Sequence, residues 1–94
     1  NWIFAMTIWR LEFTPGALKD LKKLPKHIAV LILKRVQQRL AAQEDPRLYS
    51  KALSQNFVGF WRLRVDDHRV VFRILPDQKV IQITRIAHRR EVYE

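Results

Sequence analysis

Arginines recur at spacings of two or four positions in two neighbouring stretches of the chain. Arg62 and Arg64 alternate with apolar residues, and Arg69 and Arg73 lie in the apolar stretch that follows. Guanidinium groups bind phosphate through paired hydrogen bonds, and clustered arginines repel one another unless an anion lies across them. The pattern therefore predicts a phosphate-binding surface, to which Arg89 near the end of the chain is added. The alternative is a solvated sheet face that nearby acidic residues partly neutralise. These acidic residues are Asp66, Asp67 and Glu91.

His88 and Tyr93 lie near these arginines in sequence and are of the types that proton transfer requires. Cleavage of RNA by its own 2′-hydroxyl needs a proton acceptor, a proton donor and positive charge on the phosphate. An imidazole titrates near neutrality, whereas a tyrosine hydroxyl acts as a base only where cations stabilise the phenolate. Metal-free RNA cleavage is therefore one interpretation. The alternatives are a strand-end histidine bonded to backbone and an aromatic side chain that packs near the terminus.

Other chemistries find little support in the composition. The acidic residues are scattered along the chain, whereas a metal-dependent nuclease needs clustered carboxylates. His27, His68 and His88 lack the spacing of a zinc site, and two glycines are too few for a phosphate-cradling loop. The chain has no cysteine to form thiolate ligands or disulfides. We therefore expect neither a metal nor a cofactor.

Length and charge narrow the class of protein. The chain has 94 residues, enough for one domain, and 48% of them are hydrophobic. A net charge of +9 favours nucleic acid or an acidic protein as the partner. The longest apolar run, 28–33, is far too short to span a membrane, and we expect a cytoplasmic protein. Residues 1–5 precede Met6 and the patterned sequence, so we interpret them as an added or upstream extension and 6–94 as the domain.

Hydrophobic periodicity predicts a strand and two helices in the first half of the chain. Thr14 and Pro15 are typical of an N-cap and first helical residue, because the N–H that proline lacks has no partner there. Pro25 ends the first helix, since the residue before a proline is pushed out of the helical region. Apolar residues four positions apart mark the second helix. The predicted bounds are 7–14 for the strand, 15–24 and 26–43 for the helices, and 47–58 for a loop.

After this loop the apolar residues alternate, which predicts three strands joined by short polar turns. The element order indicates an α+β fold, β-α-α-β-β-β, with the helical hairpin packed on one face of an antiparallel-rich sheet. Strict alternation assigns Phe72 and Ile83 to the core. It assigns Gln82, Thr84 and His88 to the exposed face that carries the arginines. The predicted strands are 59–65, 68–75 and 79–87.

Three segments resemble the RelE/ParE superfamily of toxins, and in particular its RelE-like branch. The first runs Leu-Glu-Phe-Thr-Pro-Gly-Ala-Leu-Lys-Asp-Leu-Lys-Lys-Leu over 11–24, and the second is the arginine-rich stretch 61–72. The third runs Ile-Ala-His-Arg-Arg-Glu-Val-Tyr over 86–93. The three occur in the order that the family shows. The resemblance implies a RelE-like fold and the toxin of a type II toxin–antitoxin system, an mRNA interferase that acts without a metal.

The resemblance also implies roles for the arginines. Arg62 and Arg64 would bind the mRNA backbone, at positions where the family carries basic residues. Arg69 would stabilise the transition-state phosphate, and Arg89 would act as a phosphate ligand or leaving-group acid. Two further arginines would contribute to RNA binding, namely Arg73 and Arg90.

Acid–base chemistry is left open between two residues by the resemblance. Tyr93 would stack on a base and serve as the general base, whereas His88 stands where other members carry lysine and could take that role. The implied partners are mRNA in the A site of the 70S ribosome and a cognate acidic, RelB-like antitoxin. A helical hairpin on a positively charged body offers such an antitoxin a groove in which to fold.

Two other functions are compatible with the sequence. A ParE-like toxin has the same fold but inhibits DNA gyrase by binding it, without cleaving RNA. A basic module could also bind RNA or the ribosome without catalysis. The combination of Arg69, the His88–Arg89 pair and Tyr93 favours the RelE-like function.

Overall fold

A mixed five-stranded sheet with two helices packed on one face forms the fold, described over residues 7–91 by a computed structural model. The predictions for residues 1–5 and for Tyr93 fall outside the described residues. The elements are β1 Arg10–Phe13, α1 Pro15–Lys23, α2 Lys26–Val36, β2 Ser50–Ala52, β3 Trp61–Val65, β4 His68–Leu75 and β5 Val80–His88. A π-helical turn, Gln37–Ala41, continues α2, and 3-10 turns lie at Gln55–Phe57, Pro76–Gln78 and Arg89–Glu91.

The strands lie in the order β1-β5-β4-β3-β2. β1 runs parallel to β5, and the other neighbours are antiparallel. The two helices connect β1 at one edge of the sheet to β2 at the other, so they cross a single face. Asp66 adopts a left-handed φ of 51°, which suits the two-residue turn between β3 and β4. The predicted α+β fold with its helical hairpin and antiparallel-rich sheet is confirmed.

The start of α1 is fastened to the sheet by its capping residue. The hydroxyl of Thr14 accepts a hydrogen bond from the Ala17 N–H at 3.2 Å, as an N-cap does. The same hydroxyl donates to the Thr84 carbonyl of β5 at 3.3 Å. The Thr14 N–H donates to the Ile83 carbonyl at 3.0 Å. One residue thus ends β1, begins α1 and holds both against β5.

The main hydrophobic core lies between the helices and the sheet. Phe72 at the centre of β4 is fully buried, and Ile32 on α2 is fully buried against the same cluster. Burial of such side chains provides most of the free energy that holds a domain of this size together. The remaining fully buried members come from several elements and are Ala17, Val36, Leu40, Leu63, Val70, Ile81 and Ile83.

A second, smaller apolar cluster lies on the sheet face opposite α1 and α2, which is called helix-free with respect to residues 7–91. Leu53, Val71 and Ala87 are buried there, with Phe60 packed against them. The segment that follows β2 folds back over this face, where the Leu53 N–H donates to the Phe60 carbonyl at 2.9 Å. This face is therefore partly apolar between its charged residues.

The prediction of a loop over 47–58 is wrong in part, because Ser50–Ala52 forms the edge strand β2. Its three residues pair with β3 in an antiparallel register, Lys51 opposite Arg62. A strand of three residues shows no measurable alternation, and a 3-10 turn, Gln55–Phe57, follows soon after. Periodicity therefore gave no signal for it.

The assignment of His88 to the exposed sheet face is also wrong. The register between β4 and β5 shifts between Val71 and Phe72, which oppose Arg85 and Ile83, so Thr84 is an extra residue in a bulge. Beyond the bulge every side chain changes face relative to strict alternation. His88 therefore lies opposite His68, on the side of the sheet that the helices cover.

An aspartate of α1 accepts a backbone hydrogen bond from the part of β5 that extends beyond the end of β1. Asp20 Oδ2 accepts a hydrogen bond from the Ile86 N–H at 2.9 Å. We expect Asp20→Ala to lower the free energy of unfolding by roughly 1–3 kcal/mol, because it leaves a buried N–H without its acceptor. Urea denaturation followed by circular dichroism measures this. The exposed Asp77 provides the control, since Asp77→Ala removes the same charge and should cost less than about 0.5 kcal/mol. Equal losses in the two variants would contradict the assignment.

Candidate nucleic-acid interface

The strand register places basic side chains opposite one another on the helix-free face. Arg64 pairs with Arg69 across β3 and β4, and Lys51 pairs with Arg62 across β2 and β3. Arg85 lies in the same row as Arg62, with the small apolar Val71 between them. Cross-strand partners share a face and stand close together, so these cations form one continuous surface. We call it the basic face, and its residues are Lys51, Arg62, Arg64, Arg69, Arg73 and Arg85.

Like charges directly opposite one another destabilise a sheet, as Arg64 and Arg69 do here. The acidic side chain that the register places on the same face is that of Glu12 at the far edge, which is 3.5 Å from the guanidinium of Arg10. Arg64 Nε donates to the carbonyl oxygen of Asp66 at 3.4 Å, a contact with backbone and not with a carboxylate. The basic face thus concentrates positive charge at a surface where an anion can bind.

The turn after β5 lies beside one end of the basic face. Arg69 Nη1 donates to the Arg89 carbonyl at 3.4 Å, and the Arg89 N–H donates to the Asp67 carbonyl at 2.8 Å. The Arg89 guanidinium is 4.0 Å from the Asp67 carboxylate, a weak exposed pair. Arg69 and Arg89 are therefore neighbours, as the sequence predicts, whereas Arg90 is exposed in the same turn.

His88 lies away from the basic face, in a small cleft against α1. Its ring stands edge-on to that of His68, with the centroids 5.6 Å apart. Its Nδ1 accepts a hydrogen bond from the Arg90 N–H at 3.4 Å, and Asp20 and Lys23 line the same cleft. This placement agrees with the interpretation of His88 as a strand-end histidine that is hydrogen-bonded to backbone.

Two members of the basic face are not among the residues singled out in the sequence. Lys51 lies on β2, where the pattern predicts a loop. Arg85 follows Ile83 by two positions, so strict alternation would place its charge in the core. That conflict is itself the signal of a bulge between Ile83 and Ile86, because a buried arginine without a partner is costly.

A larger cleft of about 490 Å³ lies at the other end of the sheet, with Trp9 and Trp61 among its lining residues. Its one lining arginine is paired with a lining aspartate. Arg47 Nε donates to Asp45 Oδ1 at 2.8 Å, and this side-chain hydrogen bond lowers the pKa of the Asp45 carboxyl and raises that of Arg47. The Arg47 guanidinium also lies 6.0 Å from the ring centroid of Trp61. The cleft has no excess of cations, so the basic face remains the stronger candidate for an anionic ligand.

Residues 7–91 contain no helix long and apolar enough to cross a membrane. In the same residues no three histidine, cysteine or acidic side chains lie close enough together to hold a metal ion.

A small domain with a helical hairpin on one sheet face and arginines on the other is the architecture that the resemblance to toxins of toxin–antitoxin pairs implies. The chain belongs to the family described as ParE toxin of type II toxin-antitoxin system, parDE, whose model matches residues 11–93. The predicted membership of the RelE/ParE superfamily is confirmed.

Similar proteins of known sequence and similar solved structures are also toxins or chains of toxin–antitoxin complexes. The chain is 27% identical over 85 residues to Toxin RelG of Mycobacterium tuberculosis, a match that covers 90% of this chain and 95% of that protein. It is similar to a chain of the RelBE2 toxin–antitoxin complex from the same organism, with a TM-score of 0.80 and 26% identity over 88% and 93% of the two chains. The fold also matches a chain of the intact E. coli RelBE complex, with a TM-score of 0.70 and 20% identity over 85% and 95%.

Proposed function

We propose that this toxin is a metal-independent endoribonuclease that cleaves mRNA in the A site of the ribosome and so inhibits translation. The observation that carries the proposal is the cross-strand pair Arg64–Arg69 with Arg89 beside it. Three guanidinium groups at one end of the basic face can surround a single phosphate, and the register sets Arg64 directly opposite Arg69 at a cost in repulsion. A face used only for solubility would not require this clustering.

In the proposed reaction the ribose 2′-oxygen attacks the adjacent phosphorus and the bond from phosphorus to the 5′-oxygen breaks. The products are a 2′,3′-cyclic phosphate and a 5′-hydroxyl, so a proton leaves the 2′-oxygen and one reaches the 5′-oxygen. Arg62 and Arg64 would hold the mRNA backbone. Arg69 would stabilise the negative charge that develops on the phosphorane, and Arg89 would bind the same phosphate or protonate the leaving oxygen.

The general base of this reaction is assigned to Tyr93. His88 was the other candidate, but it lies on the helix side of the sheet and its Nδ1 is bonded to the Arg90 N–H. Tyr93 follows five positions later in the chain, two residues after Glu91, which ends the described turn. Cations beside its hydroxyl would stabilise the phenolate form that a base requires.

A cognate acidic antitoxin is the second partner that we propose. The solved relatives include complexes of a RelE toxin with a RelB antitoxin, from E. coli and from Pyrococcus horikoshii. On this chain, Leu18, Val30 and Leu33 are exposed apolar side chains of α1 and α2, and the net charge is +9. An acidic amphipathic segment would cover these apolar side chains and neutralise part of the positive charge. The toxin would meet both this antitoxin and ribosomes in the cytoplasm.

Primer extension on a defined mRNA tests the nuclease. The purified protein is added to the mRNA alone and to the same mRNA with ribosomes stalled over a known codon. The proposal expects a cut inside the A-site codon that appears only when ribosomes are present. An intact mRNA in both conditions, from protein that binds its antitoxin and is therefore folded, would overturn it.

The matching family model favours a second candidate, because it describes ParE toxins. A ParE-like member would bind and inhibit DNA gyrase, and the same basic face could contact an acidic surface of that enzyme. A supercoiling assay with purified gyrase distinguishes the two functions. Inhibition of supercoiling without cleavage of ribosome-bound mRNA would establish the gyrase inhibitor in place of the nuclease.

A further inference from the structure

A cavity of about 370 Å³ opens on the helix-free side of the sheet, within the basic face. Val71 and Leu53 are buried residues of its lining and belong to the smaller apolar cluster. Phe57 forms part of its rim and is 42% exposed. The other lining residues are Asn56, Phe60, Thr84 and Arg85. Its size falls within the range of about 300–1,000 Å³ that small-ligand sites occupy.

The cavity combines an apolar interior with polar groups at fixed positions. The Thr84 hydroxyl donates a hydrogen bond to the Val71 carbonyl at 3.3 Å. The Asn56 amide offers a donor and an acceptor on one planar group, which is the pattern that reads the edge of a base. The Arg73 guanidinium lies 5.7 Å from the ring centroid of Phe60, whereas Phe57 retains 42% of its exposure. An aromatic ring beside an apolar space suits a stacked planar ligand.

The charge around the cavity indicates what that ligand is attached to. Arg85 lines it, Arg62 lies in the same cross-strand row, and Arg73 contacts its wall. A planar group that enters the cavity would have its attached phosphates among these guanidinium groups. Single-stranded nucleic acids are bound in this way, by cations along the backbone and aromatic rings under the bases.

We propose that this cavity binds one unpaired nucleobase of the RNA, stacked on Phe57 and read at its edge by Asn56. The inference deepens the proposed function, on which it rests for RNA as the ligand of the basic face. It gives the toxin a contact that depends on the base, next to contacts with phosphate that do not. The identity of the nucleotide in this position would then bias which RNA sequences the toxin binds.

Binding of short single-stranded RNA tests this without ribosomes and without cleavage. The probes are fluorescent hexanucleotides of U, C, A or G with 2′-O-methyl riboses, which cannot be cleaved, and a hexamer of the same backbone that lacks bases. By anisotropy at low salt, we expect the protein to bind at least one base-bearing probe about tenfold or more tightly than the abasic probe. Phe57→Ala should abolish that difference, because it removes the stacking surface. Phe57→Tyr should retain it, and Asn56→Ala should change the preference among the four bases.

Val58→Ala is the matched control, since Val58 lies in the same segment, is 75% exposed and does not line the cavity. It should bind every probe as the unchanged protein does. Equal binding of base-bearing and abasic probes by the unchanged protein would overturn the inference, as would a Phe57→Ala variant that still distinguishes them. If Phe57→Ala distinguishes the probes but binds the cognate antitoxin tenfold more weakly, the cavity holds an antitoxin side chain and the inference is also overturned.

The two proposals fail in different experiments. Base-dependent binding that disappears with Phe57→Ala, from a protein that does not cleave mRNA on ribosomes, would leave the cavity assignment in place and overturn the nuclease. Ribosome-dependent cleavage by the unchanged protein, together with equal binding of the base-bearing and abasic probes by that protein, would leave the nuclease in place and overturn the cavity assignment.

Discussion

Replacing Arg69 by alanine is expected to slow cleavage of ribosome-bound mRNA by about 10²–10³-fold, the usual effect of removing one group that stabilises transition-state charge. The physical reason lies in the position of Arg69, between Arg64 on the neighbouring strand and the turn that carries Arg89. Single-turnover cleavage at saturating toxin measures the change. Circular dichroism checks that the variant is folded, because Arg69 also donates to the Arg89 carbonyl.

The control for this prediction is an arginine of similar exposure on the other side of the molecule. Arg35 on α2 is half-buried, as Arg69 is, and its guanidinium contacts Gln38 at 3.5 Å. Arg35→Ala removes the same charge and should leave the cleavage rate within about twofold, since Debye screening weakens its effect on a distant phosphate. Arg69→Lys should recover part of the rate, because it restores the charge without the planar fork. Equal losses for Arg35→Ala and Arg69→Ala would mean that net charge alone controls the rate.

Most of the fold could be predicted because its signals are local. β4 occupies His68–Leu75, the predicted range, because its alternation is uninterrupted and the residues before it form a tight turn. Thr14 and Pro15 mark the start of α1 for reasons internal to one helix turn. Each of these elements is specified by neighbours within a few residues, so sequence periodicity is sufficient.

The errors arise where pairing with a distant strand decides the outcome. β2 exists because Ser50–Ala52 finds the free edge of β3, an interaction that short sequence windows do not contain. The bulge at Thr84 reflects a register between β4 and β5, and its single extra residue moves His88 to the opposite face. Side-chain direction in a strand has a period of two, so one inserted residue reverses every later assignment.

The same distinction holds for the candidate site. Arg62, Arg64, Arg69 and Arg73 lie on regular strands before the bulge, and the structure places them together as their alternation predicts. Lys51, Arg85 and the cavity depend on β2, on the bulge and on the segment that folds back over the sheet, so they required the structure.

Replacing Arg62 and Arg64 together by glutamine is expected to weaken the binding of single-stranded RNA on the order of a hundredfold at low salt. Each hydrogen bond to a charged group contributes roughly 1.5–3 kcal/mol, and about 1.4 kcal/mol corresponds to a factor of ten in affinity. Two fewer phosphate contacts should also reduce the slope of log affinity against log salt by roughly 1.4 for a single strand. Fluorescence anisotropy over a salt series measures both quantities. Circular dichroism checks that the variant is folded, because Arg64 also donates to the Asp66 carbonyl oxygen.

The helix α1 provides a control of identical net charge for this variant. Lys22 and Lys23 are exposed in its last turn, and Lys22→Gln with Lys23→Gln lowers the charge by the same two units. If RNA lies along the basic face, this second variant should lose only a few-fold in affinity and keep the salt slope of the parent, because its lysines release no counterions on binding. If the two double variants weaken RNA binding equally, the RNA responds to overall charge and not to the face, and the roles proposed for Arg62 and Arg64 are wrong. A hundredfold difference between them would show that the position of the charges on the sheet, and not their number, determines where the anion binds.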